Sequence, residues 1–291
     1  MRTLLRLSLV VMLAGASALA PASAAHAADE PRVLALTAGH SDDETVEFAL
    51  ERLAMEARRW NFELVEGEPS DVEDLSGVDV VMLLDTEGDV FDAGQEAALQ
   101  DFVEGGGGLV ATHSAAVTEP DWAWWGETLG ATATGEPIEP ATEKPISFND
   151  GSPITDGLDE ELKLTERWYY FDPEPSETGQ NILATLDSGD PAAWNSKDLK
   201  VFYSVAGGDH ESWGERDFLQ LIRQAIWWAA GEERALVQNA DDAAPAWPYT
   251  LTFVLFVAAV AGGGSIAVWR LDRAETARAA EAGTEREAVS A

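Results

Sequence analysis

Four histidines and no cysteine bound the chemistry open to this 291-residue chain. Without Cys there is no disulfide, thiolate nucleophile, Fe–S cluster or Cys-ligated zinc. His26 lies in the N-terminal segment. His40, His113 and His210 each fall just beyond the end of a predicted strand, where an imidazole serves as a general acid or base or as a metal ligand. None stands in H-x-x-x-H or H-x-H spacing, so spacing identifies no zinc site; a divalent metal stays open. Glu166 leads into Trp168-Tyr169-Tyr170-Phe171, and a carboxyl among aromatics gains a raised pKa suited to a general acid. The plainer alternative is an exposed Glu on a strand with a packed aromatic face. Ser114 could be a nucleophile, but its context, Ala-Thr-His-Ser-Ala, lacks the Gly-x-Ser-x-Gly elbow. Gly105 to Gly108 read as a helix stop and turn, since no Gly-Lys-Ser/Thr follows to bind phosphate. Tryptophan is frequent, 11 in the chain. Trp122, Trp124, Trp125, Trp194 and Trp213 fall in loops or short helices near the same edge, and Trp168 sits beside Glu166. Exposed aromatic faces suit sugar rings; core packing claims at least half of them. The expected site therefore has His113, His40 and Glu166 as catalytic groups, with Trp122, Trp168, Trp213 and His210 holding substrate.

These residues need a scaffold that ends several strands at one place. Arg32 to Ala38 is a short apolar run ending at Gly39, which reads as a buried parallel strand. Glu44 to Trp60 carries Val46, Leu50, Leu53 and Ala57 on one helical face. Strands follow at 61–65, 78–84 and 108–112, with a helix over 92–103 between the last two. Alternation of this kind predicts a three-layer α/β/α domain around a mainly parallel, flavodoxin-like sheet, whose ligands bind beyond the C-terminal ends of the strands. After Pro120 the pattern changes. A Trp-rich helical turn at 121–129 and a Pro-rich loop with short strands at 136–150 precede a strand at 161–171. Further strands at 181–186, 192–195 and 200–205 read as antiparallel additions, and an amphipathic helix at 216–230 stops at Gly231.

The charge is extreme: 18 basic against 53 acidic residues, a formal net charge of −35. This excludes a nucleic-acid partner, which needs a basic face. Hydrophobic content of 46% is too high for a disordered acidic chain. An acidic surface poor in Lys fits an extracellular, halophilic protein whose self-repulsion is screened by salt. The N-terminus reads as a secretory signal over 1–27: Arg2 and Arg6, an apolar run, then Ala25-His26-Ala27 as the cleavage site. The domain spans 28–231 and a polar linker 232–248. An uncharged apolar run, Tyr249 to Trp269, matches a bilayer core in length. Trp247 and Tyr249 flank one end and Trp269 the other, with Arg270 and Arg273 directly beyond, which places the tail 270–291 in the cytoplasm and the domain outside.

The order of local motifs resembles the ThuA-like (trehalose utilisation) family, within the class I glutamine amidotransferase-like fold. The resemblance rests on Val33–His40, on Asp85-Thr86-Glu87-Gly88 after its strand, and on Gly106 through Ala115. It continues through Ser152–Leu158, Thr165-Glu166-Arg167-Trp168-Tyr169, Lys200–Ser204 and Ile226–Gly231. It implies a histidine, here His113, where amidotransferases place a nucleophilic Cys. It also implies a carbohydrate ligand, a disaccharide or an oxidised sugar derivative. Where the family pattern often has Gly-His-Pro, this chain has Gly135-Glu136-Pro137; Ser152-Pro153 stands for His-Pro. An enzyme acting on a carbohydrate and a non-catalytic sugar-binding or surface-interaction module both remain open.

Overall fold

The computed structural model describes residues 30–39 and 43–231. The expected signal, His40, the linker beyond 231, the apolar run Tyr249 to Trp269 and the tail lie outside these residues. Among the described residues, no helix is long and apolar enough to cross a membrane.

One sheet of nine strands organises the described residues: β1 (Arg32–Leu36), β2 (Glu63–Gly67), β3 (Val80–Leu84), β4 (Gly108–Thr112), β5 (Thr142–Phe148), β6 (Glu161–Glu166), β7 (Asn181–Leu186), β8 (Pro191–Asn195) and β9 (Val201–Ser204), in the order β2-β1-β3-β4-β9-β8-β7-β5-β6. The first five in that order are mutually parallel. The remaining pairings are antiparallel. The sheet is thus mixed, half parallel and half antiparallel, on an α/β frame. All residues of β3 and β4 are buried, so both faces of the sheet centre are covered.

The helices follow from pattern and caps. In α1 (Asp43–Trp60), Val46, Ala49, Leu53 and Ala57 are buried along one face. In α2 (Ala93–Glu104), the Asp92 carboxylate accepts from the Gly94 and Gln95 amides while Gln95 reaches back to the Asp92 amide, a reciprocal cap. α3 (Ala123–Leu129) is the Trp-rich turn, and α4 (Arg216–Ala229) buries Phe218, Ile222, Ala225 and Ile226. α4 packs against both β4 and α1. Across the helix pair, Arg223 binds Glu56 at 2.7 Å and lies 4.0 Å over the Trp60 ring. That contact satisfies a cation which burial would otherwise penalise.

Two expectations about strands need correcting. The strand at 200–205 is parallel to β4, register Leu109 with Val201, so only β5 to β8 are antiparallel additions. An apolar run carries no direction, and the long return through β5–β8 decides it. The strand at 161–171 stops at Glu166. Beyond it the chain leaves the ladder, and the Trp168 and Tyr170 carbonyls accept from the Ile138 and Thr134 amides instead. Glu166 ends the outermost strand in sheet order, yet it contacts the turn after β9. The antiparallel half therefore curls back over the C-terminal ends of the parallel strands, and this curl builds the site.

Candidate functional site

β3 and β4 are neighbours and end together, and their next residues, Asp85 and His113, both have positive φ, +54° and +47°. Two non-glycine residues held in the left-handed region side by side indicate a conformation fixed by its surroundings. The fixing bonds are explicit. The His113 Nδ1 lies 2.8 Å from Asp85 Oδ1, which also accepts from the Ser114 amide. The His113 Nε2 donates to the Arg167 carbonyl at 2.9 Å. Tyr203 Oη, from β9, donates to the His113 carbonyl at 2.6 Å. Gly208 lies flat on the imidazole, so that a Cβ there would overlap the ring. The Tyr169 ring meets it edge-on, with centroids 5.0 Å apart.

The chemistry of this arrangement is restrictive. A backbone carbonyl only accepts, so Nε2 carries a proton, while Nδ1 faces both the Asp85 carboxyl and, at 3.1 Å, the Ser114 hydroxyl. His113 is thus locked between a buried carboxyl and a backbone carbonyl. Burial alone would lower its pKa, but the Asp85 hydrogen bond, the Glu166 and Asp85 charges and the Arg167 carbonyl together raise it above 6.5. With zero exposure and both ring nitrogens engaged by protein groups, His113 has no open position for a metal. Among the described residues, no group of three or more His, Asp or Glu is placed to hold a metal ion.

Glu166, expected as a catalytic acid or as an exposed strand residue, lies beneath the surface, fully buried. Oε1 accepts from the Gly207 amide at 2.7 Å and from the Ser212 hydroxyl, while Oε2 has no protein partner. Burial raises its pKa to about 7, against the lowering effects of His113, Gly207 and Ser212. Above this buried layer sits a more open one. Arg167 donates to the Gly208 carbonyl and lies 3.7 Å from Glu139. Glu87 is partly exposed; its pKa is raised by burial, then by the Glu136 and Asp85 charges. Glu136, where the family pattern has His, is thus a member of the same edge. Gly39, with φ +74°, abuts the Glu87 carbonyl so closely that only glycine fits, which brings the end of β1 to this edge.

The other expected residues separate. Trp213 and Trp168 are corrected from ligand platforms to core: both are buried, with Nε1 donating to the Gly207 and Thr142 carbonyls respectively. Nothing in a loop position reveals that the loop folds inward over Phe218, 5.1 Å from the Trp213 ring. His210 is exposed and stacks on Phe48 of α1, with ring centroids 3.8 Å apart. Trp122 is half-buried and lines a separate cleft of about 580 Å3 beside α3, with Trp125, Glu119, Glu127 and Gln180. Sequence reasoning missed Asp85, Tyr169 and Arg167 as members of the cluster. Asp85 could have been found by the rule that placed His113, since it follows the adjacent parallel strand.

A mixed α/β sheet carries a buried His–Asp pair where two parallel strands end. The family model for trehalose utilisation, ThuA, matches residues 32–229, and the chain belongs to that family. Among solved structures, a ThuA-like protein from Bacteroides uniformis superposes with a TM-score of 0.62 at 20% identity, covering 71% of this chain and 94% of that one. A ThuA-like protein from Parabacteroides merdae gives 0.56 at 16% identity, covering 69% and 90%. These share the fold. A glutamine amidotransferase from Methylobacillus flagellatus aligns at a TM-score of 0.40 and 12% identity, covering 72% and 94%. No curated protein matches.

Proposed function

We propose that this ThuA-family chain is a carbohydrate-binding domain displayed outside the cell on a single C-terminal membrane helix, in a high-salt setting. The observation that carries binding over catalysis is the saturation of His113. Both its nitrogens are spent on Asp85 and the Arg167 carbonyl, and Gly208 covers its ring. A residue so enclosed pins the ends of β3 and β4 and shapes the edge; it does not exchange protons with a ligand. The family supports a sugar as ligand. The apolar run Tyr249 to Trp269 with Arg270 and Arg273 supports the anchor, and the net charge of −35 supports the saline exterior.

A second reading, an enzyme acting on the sugar, is favoured by one feature: Glu166, with a pKa of about 7 and a free Oε2, has the proton affinity of a general acid. Calorimetric titration of the full-length protein with sugars in concentrated NaCl, together with product analysis, separates the readings. Saturable binding without turnover supports the module; turnover abolished by Glu166→Gln supports the enzyme. Protease treatment of intact cells should release the domain, and full protection refutes the topology.

A further inference from the structure

We infer that the cleft beside α3, not the His113 cluster, seats the ligand, and that it takes an uncharged sugar. This rests on the carbohydrate reading above and specifies where and in what charge state the sugar binds. The cleft holds about 580 Å3, within the range of small-molecule pockets. Its walls come from the segment after His113, from α3 and from the 173–180 loop. Trp125 is buried and spends its Nε1 on the Ala115 carbonyl, so it is a fixed wall. Trp122 is different. Its ring lies tilted at 32° to Trp124 with centroids 4.6 Å apart, lines the cleft, and among the described residues its Nε1 has no partner. It offers an aromatic surface and a free donor together. The Gln180 side chain, held over Gly130, likewise has no hydrogen-bond partner among the described residues. An aromatic surface flanked by unspent amide and indole groups matches a ring with apolar C–H faces and hydroxyls at its edges.

That the sugar carries no negative charge follows from the lining, which contains no Lys, Arg or His. Glu119 spends Oε1 on the Val90 and Phe91 amides and is nearly inaccessible. Glu127 is exposed and presents a carboxylate. An anionic ligand would find no counter-charge and one like charge, on a chain already carrying −35. Sugar acids and sugar phosphates are therefore excluded from this cleft.

Gly126 supplies a clean test. It lies within α3 and lines the cleft, and a Cβ added there meets only Thr132 Oγ1, at 3.9 Å. Gly126→Leu should fold normally and fill the space. Full-length wild type, Trp122→Ala and Gly126→Leu would be titrated with trehalose, glucosamine, glucuronate and glucose 6-phosphate, by calorimetry and tryptophan fluorescence in concentrated NaCl, with thermal melts of each variant. Trehalose affinity should fall by about tenfold or more in both variants, at unchanged melting temperature in Gly126→Leu, and both anions should bind wild type at least about tenfold more weakly than trehalose. Sugar binding retained in the folded Gly126→Leu protein overturns the cleft and leaves the carbohydrate reading standing. Tighter binding of an anion, or a strong preference for glucosamine, overturns the uncharged ligand. Failure of wild type to bind any of the four removes the carbohydrate reading, and this proposal with it.

Discussion

Glu166→Gln offers a sharp check on the buried cluster. The carboxyl has a pKa of about 7 in the folded protein, against 4.5 for an ordinary glutamate, chiefly because burial disfavours its charge. At about 1.4 kcal/mol for each tenfold change in proton affinity, that difference amounts to roughly 3 kcal/mol. The sign is set by which state holds the proton. Below pH 4.5 the folded and unfolded chains are both protonated at this position, and the full stability is present. Between 4.5 and about 7 the unfolded chain releases the proton while the folded chain keeps it, so stability falls as pH rises. Above about 7 the loss is complete. His113, whose pKa is raised above 6.5, acts in the same direction: its stabilisation is full below 6.5 and lost as pH passes its folded value. Gln keeps an oxygen for Gly207 and Ser212 but puts an amide N–H2 where Oε2 has no partner. An unmet buried donor costs about 1–3 kcal/mol. The variant should therefore be less stable than wild type near pH 5, with the gap closing or reversing by about pH 8. Urea melts across that range in concentrated NaCl, which screens the surface carboxylates, would show it. Curves that stay parallel to within about 0.5 kcal/mol would refute the buried, protonated Glu166.

Three further outcomes follow from the same geometry. Asp85→Asn removes the carboxyl whose hydrogen bond and charge raise the His113 pKa, so it should lower that pKa, seen by NMR titration, and cost about 1–3 kcal/mol; an unchanged His113 pKa would contradict the pairing. Gly208→Ala drives a Cβ into the His113 ring and should cost about 1–3 kcal/mol in chemical denaturation, whereas a neutral effect would show that the ring is free to move. The melting temperature of the full-length protein should rise with NaCl, because a net charge of −35 repels itself until the Debye length shrinks from about 10 Å at 0.1 M to about 3 Å at 1 M; a flat response would contradict the saline setting.

The sequence by itself determined what short-range patterns carry. Apolar runs of β-branched and aliphatic residues placed β1, β3 and β4 within two residues of where they lie, since strands buried on both faces leave no other trace. The same alternation located the sheet edge at which His113 sits, because parallel strands end on one side. The family motifs added the fold. Tertiary structure decided the rest, for two physical reasons. Strand direction and curl depend on contacts across the sheet, so β9 proved parallel and the end of β6 came to lie over β4 and β9. Burial is likewise a property of what packs above a residue. Trp213 and Trp168 look like Trp122 in sequence, yet two fill the core and one faces a cleft. Glu166, read as a general acid from its aromatic neighbours, is sealed beneath the surface by the chain that follows Gly207, and His113 is locked by a carboxyl 28 residues away. Spacing along the chain records none of these closures, because each is made by segments that meet only when the sheet has curled.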